Sequence, residues 1–124
     1  MAFDWGGRRI GVAVSQDGRM VFPREHIEVA DDASALTEVS KLITEEKIQS
    51  VVVGLPISLD GKENAMAGRI RAFGEQIVSS TGIPVMYEDE RLSTKEAEKK
   101  RLPGSRVNID SLAAQVVLEN FLAK

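Results

Sequence analysis

Residues 2–15 read AFDWGGRRIGVAVS, and the fold turns on how Asp4 is placed among them. Ala2, Phe3 and Trp5 have the character of a buried strand. Gly6 and Gly7 end it in a tight reversal, since glycine tolerates positive φ without strain. Ile10, Val12 and Val14 then alternate with Gly11, Ala13 and Ser15, the period of two that marks a strand. The stretch predicts an antiparallel pair whose first member carries a carboxylate. An acid in that position is costly unless it meets a partner or a cation. An ion pair with Arg8 or Arg9 would satisfy it, and so would a hard cation shared with other carboxylates.

Outward from this pair, Gln16–Arg19 (QDGR) holds the Asp-Gly step that favours a two-residue hairpin turn. A third strand is expected through Met20, Val21 and Phe22, and Pro23 makes it an edge because proline cannot donate to a ladder. The period then changes. Asp31, Asp32 and Ser34 supply caps and early negative charge for a helix carrying Leu36, Val39, Leu42 and Ile43. SVVVGLP, residues 50–56, is a continuous β-branched run, as expected of a strand buried on both faces. A second helix is expected over 65–80, closed by Gly82. IPVMYEDER, residues 83–91, predicts a further short strand ending in acids. A helix over 93–100, a Pro103-Gly104 break and a final amphipathic helix complete the chain.

The order βββαβαβα predicts an α/β fold: a mixed five-stranded sheet, three antiparallel strands followed by two parallel βα units, with flanking helices. This order resembles the ribonuclease H-like fold. A dinucleotide-binding sheet would begin with a crossover instead. At 124 residues the chain is expected to form one domain over 1–124. It has 43% hydrophobic and 28% charged residues and no cysteine, which excludes disulfides, thiolate zinc sites and cysteine nucleophiles. No apolar run approaches a membrane span and the N-terminus lacks a signal-peptide pattern, so a cytoplasmic location is expected. The formal net charge of −3 argues against coating nucleic acid by bulk attraction. The cations are clustered, however: Lys95, Lys99, Lys100, Arg101 and Arg106 crowd one stretch, Arg8 and Arg9 follow the first acid, and Arg69 and Arg71 share a helix.

Two places could supply company for Asp4. Glu88, Asp89 and Glu90 end the last strand, at the sheet edge where open α/β proteins build sites. Arg91, next to them, could hold an acid in place or face a phosphate. Ser93 and Glu96 have the spacing of a capping box, a structural role. Asp110 falls in the first turn of the last helix, where an acid complements the helix dipole whether or not it does anything else. His26, the one histidine, is read as a surface residue.

FDWGGRRIGVAVS, VVVGLPISLDG, DERLST with EAEKK, and NIDSLAAQVVLENFL together resemble the YqgF/RuvX family, over essentially the whole chain. Its members are ribonuclease H-like proteins described as Holliday-junction resolvases or pre-16S rRNA nucleases. The resemblance implies that Asp4, Glu90 and Asp110 are catalytic and hold Mg²⁺ or Mn²⁺, with Asp89 a substitute for Glu90 or its supporting partner. It implies phosphodiester hydrolysis in structured nucleic acid, processing the 5′ end of pre-16S rRNA, without a side-chain nucleophile. Arg8, Arg9, Arg91, Lys95, Lys99, Lys100, Arg101 and Arg106 are the expected nucleic-acid contacts, and the expected partner is pre-rRNA or branched DNA rather than a membrane. Two departures stand out: Gly7 replaces a common hydroxyl residue, and the stretch 99–109 is shorter than usual.

Other readings compete. A four-way DNA junction resolvase would need two coordinated sites and hence a dimer, whereas RNA processing is compatible with a monomer or a homodimer. A non-catalytic RNA-binding or transcription-associated module would not need three acids. An ATPase reading of the Asp-x-Gly opening would need a second domain to close over the nucleotide.

Overall fold

The computed structural model describes residues 1–56, 62, 64–89 and 109–124. Among these residues five strands form one mixed sheet: β1 (Ala2–Trp5), β2 (Arg9–Val14), β3 (Phe22–Glu28), β4 (Val51–Leu55) and β5 (Val85–Asp89). Their spatial order is β3-β2-β1-β4-β5. The β1–β2 and β2–β3 pairs are antiparallel, and the β1–β4 and β4–β5 pairs are parallel. Helices α1 (Asp32–Glu45), α2 (Ala65–Thr81) and α3 (Ile109–Leu122) flank it. The expected α/β architecture and its topology are therefore those observed.

Local chemistry explains the boundaries. Asp31 caps α1 by accepting from Ser34 N–H at 2.7 Å, and Ser34 Oγ lies 3.4 Å from Asp31 N, a reciprocal box that satisfies donors the helix leaves open. Asn64 caps α2 in the same way, accepting from Ala67 N–H at 3.0 Å. Gly82 ends α2 with φ of 73°, a conformation that costs glycine nothing.

The β2–β3 connection departs from the expected two-residue turn. Val14 pairs with Phe22, so residues 15–21 lie between the strands. Asp17 organises this loop, its Oδ1 accepting from the N–H groups of Arg19 and Met20 at 2.8 and 2.9 Å. The third strand accordingly starts at Phe22 rather than Met20 and runs through Pro23 to Glu28, on the sheet edge as expected. Its register slips between Ile10 and Val12: Glu25 and His26 together oppose Gly11, a bulge that sharpens the local twist.

Each sheet face buries one cluster. Phe3, Trp5, Ile10, Val12, Val53, Leu55, Ile70, Phe73 and Ile77 pack with α1 and α2, and Trp5 meets Phe73 edge-on at 4.7 Å. Ala2, Ala13 and Val52, on the other face, pack against Ala114, Val117 and Leu118 of α3. The small residues on that face let α3 approach closely. Helix α3 is buried almost all round from Ser111 to Leu118, unlike the one-sided stripe expected of an amphipathic helix.

Candidate active site

Asp4 lies on β1 opposite Gly11 of β2. Directly paired residues in a sheet point to the same face, so the Asp4 side chain shares the face of Gly11, that of α3. It is 7% exposed. Gly11 in turn lies against the start of α3: a Cβ built on it would be 1.9 Å from the Asp110 carbonyl oxygen. The carboxylate of Asp110 reaches over the end of β1, where its Oδ1 would be 2.9 Å from a Cβ on Gly6. Facing Cα atoms in an antiparallel pair are about 4.5–5.5 Å apart, so the structure brings Asp4 and Asp110 to one corner of the sheet.

Two features let these acids coexist there. The first turn of α3 lies over the Asp4–Gly11 pair, and a helix N-terminus carries open N–H donors and a partial positive charge. Ser111 then ties the helix to the sheet. Its buried Oγ accepts from Val12 N–H at 3.2 Å, beside the bulge.

The acids of β5 divide by face. Gly54 pairs with Glu88 and Leu55 with Asp89. Leu55 and Tyr87 belong to the α1–α2 side of the core, so alternation places Asp89 on that side and Glu88 on the side of Asp4. Glu88 is buried and held by Lys124, whose Nζ is 2.8 Å from Oε1. Glu90, Arg91, Lys95, Lys99, Lys100, Arg101 and Arg106 lie outside the described residues, as does the expected helix over 93–100. Among the described residues no three His, Cys, Asp or Glu side chains form a cation-binding group. Asp4 and Asp110 are nonetheless hard oxygen donors of the type that suits Mg²⁺ or Mn²⁺.

Arg8 and Arg9 occupy the exposed β1–β2 turn, which closes with Gly6 N–H donating to Arg9 C=O at 2.7 Å. Arg9 reaches Glu28 at 3.9 Å. His26 also contacts Glu28, at 2.8 Å, and that hydrogen bond, helped by Arg9, holds the Glu28 carboxyl below its usual range. His26 is thus part of the sheet edge, away from the acids. A cavity of about 390 Å³ lined by Met1, Ser50, Leu118 and Phe121 opens at the other end of β1. The residues missed from sequence are Gly6, Gly11 and Ser111. The available signal was that Gly6 and Ser111 stand within two residues of Asp4 and Asp110, whereas Gly11 is set apart from both in the sequence.

A family model described as RuvX, Holliday junction resolvase, matches residues 1–124. A protein of Dictyoglomus thermophilum, provisionally named a pre-16S rRNA nuclease, is 33% identical over 98% of this chain and 93% of its own length. One of Hydrogenovibrio crunogenus with the same provisional name is 37% identical, over 98% and 91%. Among solved structures, Thermus thermophilus RuvC in complex with a Holliday junction superposes with a TM-score of 0.61 at 16% identity, covering 98% of this chain and 91% of that one. That likeness supports the ribonuclease H-like fold.

Proposed function

Because the chain belongs to the RuvX family of Holliday junction resolvases, we propose that it is a divalent-metal-dependent nuclease that hydrolyses phosphodiester bonds in structured nucleic acid. Its substrate on this reading is pre-16S rRNA, the RNA in the names of its relatives, and the cut falls at the 5′ end. The observation that supports it most is the meeting of Asp4 and Asp110 at one sheet corner, across more than a hundred residues of chain. The whole of 1–124 forms the nuclease domain, and it works in the cytoplasm, where its RNA is made.

Asp4, Glu90 and Asp110 would hold Mg²⁺ or Mn²⁺. A bound ion supplies Lewis acidity and lowers the pKa of water at phosphoryl centres. The chain's part is to place the carboxylates and grip the substrate. Asp4 is fixed by the ladder of β1 and Asp110 by the first turn of α3. Glu90 rather than Asp89 is assigned the third place, since Asp89 shares the face of Tyr87. Arg8 and Arg9, exposed on the turn next to Asp4, and the cations between Arg91 and Arg106 are assigned to the phosphate backbone.

The test is incubation with a precursor rRNA fragment and with a four-way DNA junction, each with Mn²⁺ and with chelator. Metal-dependent cleavage of the RNA is expected. The family description favours a second reading, a junction resolvase, which preferential cutting of the DNA would establish. Binding of either substrate without cleavage would make the chain a non-catalytic module.

A further inference from the structure

We propose that Gly6, Gly11 and Ser111 form a seat that positions Asp110, so that these three residues act on metal binding through the carboxylate they hold. The inference rests on the three-carboxylate reading above and deepens it.

Glycine is present at these two positions for room, not for backbone freedom. Among the described residues, the glycines with positive φ are Gly7, Gly18 and Gly82, so neither Gly6 nor Gly11 needs the left-handed region. What each lacks is space for a side chain. On Gly11 a Cβ would meet the backbone of Asp110 and Ser111, at 1.9 Å from the carbonyl oxygen, 2.2 Å from the carbonyl carbon and 2.7 Å from Ser111 N. Those atoms belong to a helix and cannot yield without shifting α3. On Gly6 a Cβ would press first on the Asp110 side chain, with Oδ1 at 2.9 Å and Cγ at 3.4 Å, and would also meet the Arg9 carbonyl oxygen at 3.3 Å. One glycine therefore sets where the Asp110 backbone rests, and the other where its carboxylate turns.

Ser111 completes the seat. It is fully buried, and its Oγ takes the N–H of Val12, the residue after Gly11. This bond stitches the start of α3 to β2 one residue from the Asp4–Gly11 pair. A shift of Asp110 along the helix axis would break it and leave Val12 N–H to find another partner inside the protein. The three contacts constrain one residue from three directions: backbone, side chain and following residue. Such supporting contacts commonly change metal affinity by about 10–100-fold when removed.

The variants are Gly6→Ala, Ser111→Ala and, as control, Asp110→Asn, all in the full chain. Each is read three ways: melting temperature in chelator, Mn²⁺ affinity by calorimetry, and cleavage across a Mn²⁺ titration. Gly6→Ala crowds the Asp110 side-chain oxygen most and the Arg9 carbonyl less, and should melt near the parent. It should nonetheless raise the Mn²⁺ requirement by about 10–100-fold, with turnover recovering at high metal. Ser111→Ala should lower the melting temperature and raise the Mn²⁺ requirement together. Parental Mn²⁺ affinity and cleavage in Gly6→Ala would overturn the seat. A Ser111→Ala protein that is only less stable would reduce that residue to packing. If Asp110→Asn binds Mn²⁺ and cleaves like the parent, the three-carboxylate reading itself falls. If it is inactive while Gly6→Ala is parental, only the seat falls. Absence of Mn²⁺ binding by the parent would overturn both.

Discussion

The buried carboxylate of Glu88 is gripped by Lys124, whose Nζ lies 2.8 Å from each of its oxygens. Glu88 is 7% exposed, whereas the lysine side chain is 68% exposed. The pair joins the residues after α3 to β5, on the sheet face that also carries Asp4. Removing the lysine leaves a buried charge without this partner. Lys124→Ala should cost about 1–2 kcal/mol, between the values for exposed and buried pairs. Glu88→Gln in the same background should recover part of that loss. Urea denaturation of the two single variants and the double variant measures both.

Asp4→Asn should abolish cleavage and leave the melting temperature in chelator equal or higher. Without an ion, Asp4 and Asp110 share a corner as like charges, and neutralising one relieves the repulsion. A large loss of stability would instead show that Asp4 is the anchor of an ion pair. Full activity would remove it from the reaction.

The basic stretch predicts a salt signature. Replacing Lys99, Lys100 and Arg101 together with Ala should weaken binding of RNA or junction, more at low salt than at high. Each phosphate left without its cation makes the slope of log K against log salt shallower by about 0.7–0.9. Sequence preference should be unchanged. An unaltered slope would move the binding surface to Arg8, Arg9, Arg69 and Arg71.

Tyr87 is the chain's one tyrosine, so its ionisation can be followed without ambiguity at the tyrosinate absorbance band. Burial raises its pKa; Arg71, stacked 4.8 Å from the ring, opposes this and Glu75 reinforces it. The folded state thus keeps the phenol proton after the unfolded state has begun to lose it. Stability should fall as pH rises from about 10 toward the folded value. Tyr87→Phe should remove that alkaline loss. A titration midpoint in the folded protein equal to that in urea would contradict the assignment.

How much of this was legible depended on how local the cause was. The run SVVVGL announced β4, and Asn64 to Gly82 bracketed α2, because those signals act within a few residues. Strand β3 begins at Phe22, two residues after the apolar run starts at Met20. Met20 and Phe22 are apolar yet 60% and 52% exposed, and the strand proper, FPREHIE, buries one side chain, Ile27. An edge strand with a bulge has no clean alternation to read. Asp4 and Asp110 stood out because each is chemically out of place or at a helix start. Gly6, Gly11 and Ser111 did not, since only the tertiary approach of α3 shows what they accommodate. The faces of Glu88 and Asp89 likewise depended on register, which composition does not encode.

The hydrogen bond between Val12 and Ser111 spans 99 positions of sequence, and this has a consequence for synthesis. Among the described elements α3 follows all five strands, so the ribosome delivers β1 to β5 before the helix that packs on the face of Ala2, Ala13 and Val52. Contacts of such long range form late and slowly. Asp110 reaches Asp4 only after α3 has left the exit tunnel and docked. A growing chain that still lacks α3 therefore holds Asp4 without Asp110, and the corner these two acids share is completed late in synthesis.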